Sequence, residues 1–336
     1  MATIGTYNLT LSDITQQTAP DGSIADVINI MSQTNDILQD MTFQPCNDGT
    51  AHQDTIVTGL PQGAWVRYNE GRQPAKGVTA PIRAQTGILE LPMQVDRRLA
   101  ERRGKGNVSK VMSNQLLMAV EGLNQQMATA LAYEDERTNP ERITGFMPHY
   151  STVSTATAAS AENVIDCGGT GSDNMSILII GWGDAMISGI LPEGAPHGVK
   201  RGELKIVDVV DSTGISGGTF EAYKQTLEFN MGLMVKDWRY GVRLANIDVS
   251  NLEAESSNAD LWKAIIRGLE RIPNLSACRP AIYMNRKART WLRIQALSKS
   301  AYQTTFETVA GKPVMMIDGV PVRRMDSLLN TEARVV

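Results

Sequence analysis

Asn107–Tyr133, NVSKVMSNQLLMAVEGLNQQMATALAY, is the longest unbroken helical pattern in the chain. Val108, Val111, Met112, Leu116, Ala119, Val120, Leu123, Met127, Ala130 and Leu131 recur at spacings of three, four and one, which lays an apolar stripe along one side of a helix. Ser113, Asn114, Glu121, Asn124 and Gln125 take the other side. Asn107 or Ser109 is placed to cap the start, with Gly104 and Gly106 keeping the chain out of an earlier helix. No proline interrupts the run, so at 1.5 Å per residue it predicts a rod about 40 Å long, as long as a domain is wide. Gly122 in its middle weakens the helix and marks a candidate close contact. A core helix of an ordinary enzyme would show the same periodicity, so the flanking segments decide.

Residues 1–20 are polar, rich in Thr and Gln, and read as an extended arm. Ser23 and Asp26 then have capping-box form ahead of Ile24, Val27, Ile28, Met31, Leu38 and Met41, which predicts a helix over 23–41. A short strand is expected at Thr55–Thr58, and Ala64–Asn69 alternates like another. Residues 70–79 form a polar Gly/Pro tip, and Pro81–Arg98 returns as an extended run. Together 51–98 reads as a long two-stranded arm. It is too polar to bury both faces, and a lone hairpin is marginal in water, so it needs a surface to lie on. A neighbouring subunit is the natural candidate.

After the helix, strands are expected in Ser176–Leu191 and Glu203–Val210, and a strand pair in Gln225–Val249 turning near Lys236–Asp237. A second unit follows: a helix opened by Ser257 and Asp260, a buried strand at Pro280–Met284, a helix capped by Asn285, and a hairpin over Lys312–Arg324 turning at Asp318-Gly319.

Function classes are bounded mainly by exclusion. The 336 residues suffice for one large domain or two smaller ones. A net charge of −4 gives no reason to expect a nucleic-acid groove. Cys46, Cys167 and Cys278 lie far apart without a CxxC, which suits a reducing compartment and neither a disulfide framework nor zinc. No stretch approaches the roughly 18 apolar residues of a membrane span, and the N-terminus lacks signal-peptide character. The reading is a soluble protein that works on no membrane.

Catalytic motifs fail one by one. Gly214-Ile215-Ser216-Gly217-Gly218 has the form of a nucleophile elbow, but in that fold the histidine follows the serine, and His52, His149 and His197 all precede Ser216. Gly311-Lys312 lacks the first glycine of a phosphate loop, where Phe306 stands, and has Pro313 in place of Ser/Thr. Gly169-Thr170-Gly171 has no third glycine. No histidine pair has metal spacing, so neither a cofactor nor a metal is expected. Arg97, Arg98, Arg102 and Arg103 form the one basic cluster, either a solvated run or a socket for an acidic neighbour.

The order of parts resembles the major capsid proteins of tailed bacteriophages, with the Hong Kong 97 fold. NMGLMVKDWRYGVRLANID (230–248), IYMNRKARTWLRIQA (282–296) and GKPVMMIDGVPVRRMDSLLNTEA (311–333) are its most specific stretches, and the likeness covers roughly 20–333. It implies an α+β fold: an N-terminal arm and helix (1–50), an extended β-hairpin loop (51–98), a peripheral domain with spine helix and sheet (99–254), and a compact axial domain with the tail (255–336). The strand block 230–248 precedes the hairpin 311–324, whereas the commoner family order places it last, so a branch with rearranged strand order is implied.

The function implied is a structural protein of the virion that assembles in the bacterial cytoplasm, through pentamers and hexamers, into an icosahedral head around double-stranded DNA. Scaffolding, portal and decoration proteins are the implied partners, with the packaged DNA held non-specifically. Trp65, Arg67, Glu70, Arg72 and Lys76 on the loop, with Arg97, Arg98, Arg102 and Arg103 at its root, are the candidate contacts between subunits. Some members cross-link this loop through a Lys–Asn bond. Lys76 is the only lysine at the loop tip and no Asn or Glu partner matches, so no cross-link site is assigned. The alternatives are an encapsulin-like nanocompartment shell and, remotely, a serine hydrolase using Ser216.

Overall fold

A computed structural model of the chain describes residues 33–102, 106–195, 198–210, 218–254, 260–298, 305–309 and 312–336. Arg103, His197, Ser216, Ser257 and the 23–32 part of the expected first helix lie outside them. In chain order the main elements are α1 (Ile37–Asp40), β1 (Phe43–Pro45), β2 (Ala51–Gly59), β3 (Val78–Gln85), β4 (Gly87–Asp96), α2 (Arg97–Ala100), α3 (Gly106–Tyr133), α4 (Phe146–His149), β5 (Val164–Asp166), β6 (Asn174–Trp182), β7 (Ile187–Leu191), β8 (Val199–Arg201), β9 (Lys205–Val210), β10 (Thr219–Val235), β11 (Gly241–Asp248), α5 (Val249–Glu253), α6 (Leu261–Leu269), β12 (Arg279–Met284), α7 (Arg286–Ser298), β13 (Thr305–Val309), β14 (Lys312–Ile317) and β15 (Val320–Arg324). The chain folds as two compact units, and both α3 and β10 contribute residues to each.

The smaller unit takes Ile88–Met127 and the described part of 196–230. The apolar stripe of α3 meets β4 here. Val108, Val111 and Met112 are buried with Val95 and Ala100, while Ala119 and Leu123 are buried with Met93 and Leu227. Burying each of the large side chains stabilises by roughly 1.5–3 kcal/mol. Along β10, residues 219–224 pair antiparallel with β9 and residues 227–229 with β8.

The larger unit takes Thr34–Gly87, Ala128–Ala195 and Met231–Val336. Its sheet runs β13-β14-β15-β12-β6-β11-β5. At its centre all nine residues of β6 are buried, with Ile177, Leu178, Ile179 and Ile180 filling both faces. The strand therefore reads as a continuous apolar run, as expected of a strand covered on both sides. Helix α6 lies close on this sheet at Gly268, where a Cβ would come 2.7 Å from Ile179 Cδ1.

Local signals act as the sequence suggests. Asp260 accepts from the Lys263 N–H and Asn285 from the Ala288 N–H, capping α6 and α7. Asp318 and Gly319 both adopt positive φ, 49° and 77°, as a two-residue hairpin turn requires. The β10–β11 block pairs with β6 and β7 ahead of the β14–β15 hairpin in sequence, and β15 joins β12 in parallel.

Five local expectations are corrected. Of the helix expected over 23–41, the described residues are helical only at Ile37–Asp40, with Asn35 bridged to Met325 instead. The two-stranded pairing expected over 51–98 ends at Gln85, because β4 buries Met93 and Val95 with α3 in the smaller unit. Residues 64–69 form no strand, because β2 and β3 stop pairing at Gly59 opposite Val78 and the alternating run is left without a partner. Helix α3 starts at Gly106, so Asn107 and Ser109 lie inside it rather than at its cap. Gly122 has open space around it within the chain, not the close contact expected.

Candidate assembly surfaces

The hairpin β2–β3 pairs in antiparallel register from Ala51 opposite Gln85 to Val57 opposite Thr79. Its root is fixed to the larger unit. Ile82 and Ala84 pack on the buried cluster of Cys46, Ile190 and Met234. Asn47 accepts from the Gln53 N–H and donates to its carbonyl, locking the first turn. Lys236 Nζ donates to Asp54 Oδ2 at 2.9 Å and to Gln44 Oε1 at 3.1 Å. The Lys236 hydrogen bond first, and then the one donated by the Thr55 N–H, hold the Asp54 carboxyl below its ordinary range. Gly232 lets the backbone approach: a Cβ there would sit 2.5 Å from the Gln85 carbonyl oxygen.

Beyond the root this support ends. Along β2 and β3 half-buried and exposed residues alternate, and residues 60–78 are exposed throughout. Trp65 and Tyr68 are fully exposed, at 103% and 101%, with Leu60 at 81%. Arg67, Arg72 and Lys76 lie in the same exposed stretch, and Glu70 closes a turn by accepting from the Arg67 N–H at 3.1 Å. The five loop residues singled out in the sequence thus all lie in this exposed 60–78 stretch.

The arginine cluster is divided. Arg97 donates to Glu101 at 3.1 Å and to Glu221 at 2.6 Å within the smaller unit, and these two carboxylates raise its pKa. Arg98 and Arg102 are exposed. Between the root of the hairpin and the larger unit's body lies a cleft of about 460 Å³, whose walls include Ile82, Met234, Lys236 and His149. Burial lowers the pKa of His149; Arg137 adds to the shift and Asp135 opposes it.

One buried polar centre escaped the sequence reading. Glu332 accepts from Tyr133 OH at 2.6 Å, Ser176 Oγ at 2.5 Å and Arg243 Nη2 at 3.0 Å. Arg243 also donates to the Tyr150 carbonyl at 3.1 Å. Burial, with Glu332 next, raises the Tyr133 pKa. A charge inside the apolar run GVRLANID was the available signal, since a buried guanidinium requires a partner.

The described residues hold no group of His, Cys, Asp and Glu fit for a metal, and Cys46, Cys167 and Cys278 are free thiols. No described helix is long and apolar enough to cross a membrane. A sheet core, a long helix and a projecting two-stranded arm are the parts of a shell-building protein with the Hong Kong 97 fold. The family model for major capsid protein GP7 matches residues 19–336, and the chain belongs to that family. It is thus a major capsid protein of a tailed phage, a component of the virion.

The chain is 33% identical to a chain of the near-atomic structure of bacteriophage Epsilon15, covering 100% of this chain and 99% of that one at a TM-score of 0.81. The bacteriophage JBD30 capsid is similar at 9% identity, covering 89% and 92% with a TM-score of 0.47. The SrpI encapsulin of Synechococcus elongatus is similar at 9% identity, covering 71% and 97% with a TM-score of 0.42. No curated protein matches the chain.

Proposed function

We propose that copies of this chain close an icosahedral shell of pentamers and hexamers around double-stranded DNA, with the hairpin arm of each copy resting on the next. The observation carrying this reading is the tip of the arm, where Trp65 and Tyr68 are fully exposed. Aromatic side chains bury about 150–250 Å² each when covered, so two rings left in water forgo several kcal/mol. A second copy covers them, and Arg67, Glu70, Arg72 and Lys76 then form the polar rim of the contact. Arg98, Arg102 and Arg103 are further contact residues in this reading.

In this reading 1–50 is an arm and helix, 51–98 the extended loop, 99–254 the peripheral domain and 255–336 the axial domain. Many modest contacts acting together hold the shell. Separate scaffolding, portal and decoration proteins complete the particle. The role is mechanical rather than catalytic.

The test is Trp65→Ala with Tyr68→Ala. The double variant is expected to keep the wild-type melting temperature and to yield no closed particles by negative-stain microscopy. Wild-type particle yield from this variant sinks the arm-on-neighbour reading. A serine-directed fluorophosphonate is expected to leave Ser216 unlabelled, and labelling there would instead argue for the hydrolase.

A further inference from the structure

Charge is distributed very unevenly along the chain. Residues 255–336 carry thirteen basic and seven acidic side chains, and residues 1–254 carry nineteen basic and twenty-nine acidic, so a segment of +6 is joined to one of −10. Part of the excess gathers on one face of α7. Arg286, Arg289 and Arg293 stand at i, i+3 and i+7, and Leu297 follows one turn later. Arg324 lies within electrostatic reach of Arg289 from the end of β15.

Two carboxylates face these four arginines. Asp326 takes Arg286 at 3.3 Å and Arg324 at 2.5 Å. Asp36 accepts from the Arg324 N–H at 3.1 Å. Among the described residues, Arg289 and Arg293 make no ion pair. The Arg289 guanidinium is half-buried, and its pKa is lowered by burial first and then by Arg293 and Arg324, with Asp36 opposing. A planar, always-charged group held there without an ion-pair partner is suited to receiving a carboxylate. On the same face Leu297 is 87% exposed. An apolar side chain beside unpaired arginines fits the composition of a protein interface and is no help in holding a phosphate backbone.

We propose that the α7 face formed by Arg286, Arg289, Arg293 and Leu297 docks on the acidic 1–254 portion of a second copy of this chain. The inference rests on the shell reading and adds a second, electrostatic contact to the one made by the arm. Such a contact is heterologous: the basic face of one copy meets the net-acidic 1–254 portion of the next, the arrangement that builds rings. It orients arriving subunits and makes assembly sensitive to salt.

The test uses the full chain with R289K and R293K, which keep the charge and supply amines. Isotope-labelled and unlabelled copies are mixed, assembled and treated with a zero-length carboxyl-to-amine coupling reagent. Cross-links from positions 289 and 293 to carboxylates within 1–254 are expected in mixed-isotope peptides, because the link joins two copies. In parallel, R289E with R293E is expected to keep the wild-type circular dichroism and to lose about tenfold or more of the particle yield, since like charges then face each other. R289Q with R293Q serves as a milder second variant, expected to lower the yield and to weaken its dependence on salt.

Links confined to single-isotope peptides overturn the proposal, as does wild-type yield from both the reversed and the neutral variants. Variants that assemble normally but whose particles retain less DNA assign the face to nucleic acid and overturn it as well. A wild-type chain that forms no particles even when co-expressed with its scaffolding protein overturns the shell reading itself, whereas normal wild-type particles with unaffected variants overturn this inference alone.

Discussion

Arg243 Nη2 lies 3.0 Å from Glu332 Oε2, and both side chains are buried in the larger unit. The pair ties residue 332 to the middle of β11, 89 positions earlier in the chain. It is well satisfied, because Ser176 and Tyr133 also donate to the carboxylate and the Tyr150 carbonyl accepts from the guanidinium. Removing one partner leaves the other buried and unpaired, which costs about 3–5 kcal/mol. Glu332→Ala is therefore expected to lower stability by that order in urea unfolding. Arg243→Met combined with Glu332→Leu is expected to recover much of the loss, since an apolar pair of similar volume is often neutral in such a site. A double variant no more stable than the single one would show that the network has a further structural role.

That pair also marks where sequence reading runs out. Signals carried within one stretch of chain were legible. The stripe of α3 places it to within a residue, Asn285 and Asp260 announce their helices, and Asp318-Gly319 announces its turn. The polar Gly/Pro run 70–79 is legible in the same way, and 60–78 is exposed throughout. What stayed hidden depends on partners far away in sequence. Strand β5 is three residues long and exists because it pairs with β11, and β1 because it pairs with β7. Residues 64–69 alternate correctly yet form nothing, because alternation selects a face but cannot supply a partner strand. Neither Lys236 as the anchor of Asp54 nor Glu332 as the partner of Arg243 follows from any spacing.

The half-buried His149 predicts a dependence on acid. Its folded pKa lies below the ordinary 6.5, chiefly through burial. Arg137 beside it adds to the shift and Asp135 opposes it, while Arg83, Glu136 and Lys236 line the same cleft. Below pH 6.5 the unfolded chain binds the proton more readily than the folded one. The contribution is thus fully present above the unfolded value and is lost as pH falls from 6.5 through the folded value. Melting temperature measured from pH 8 to pH 5 is expected to drop in that window, with a steepest slope of at most about 1.4 kcal/mol per pH unit from this group. His149→Gln is expected to flatten that part of the profile, and an unchanged profile would locate the titration elsewhere.

The root of the arm predicts a variant that loosens without unfolding. The Asp54–Lys236 pair is partly exposed, so Asp54→Asn is expected to change global stability by about 1 kcal/mol or less. Local attachment should respond more. Hydrogen exchange across β2 and β3 is expected to quicken, with the rest of the sheet unchanged. Because the Asp54 carboxyl is held below 3.8, its contribution is present above that value and fades only as pH falls through the lower, folded value. The wild-type arm should therefore stay attached across the neutral range. Unchanged exchange in the variant would assign the anchoring to Ile82 and Ala84 alone.

Two glycines separate close packing from conformational weakness. At Gly145, just before α4, a Cβ would lie 2.5 Å from the Ala130 carbonyl oxygen and 2.7 Å from that of Leu131, both backbone atoms of α3. Backbone within a helix has little room to yield, so Gly145→Ala is expected to destabilise by about 1–3 kcal/mol. Gly122 lies within α3 with nothing inside 4 Å. There the methyl meets no obstacle and the helix gains, so Gly122→Ala is expected to stabilise the unassembled chain by about 1 kcal/mol. Thermal unfolding of the two variants should move in opposite directions. Particle yield then tells why glycine stands at 122: a more stable chain that no longer assembles places that side of α3 against a neighbouring copy, and normal assembly leaves the glycine without a packing role.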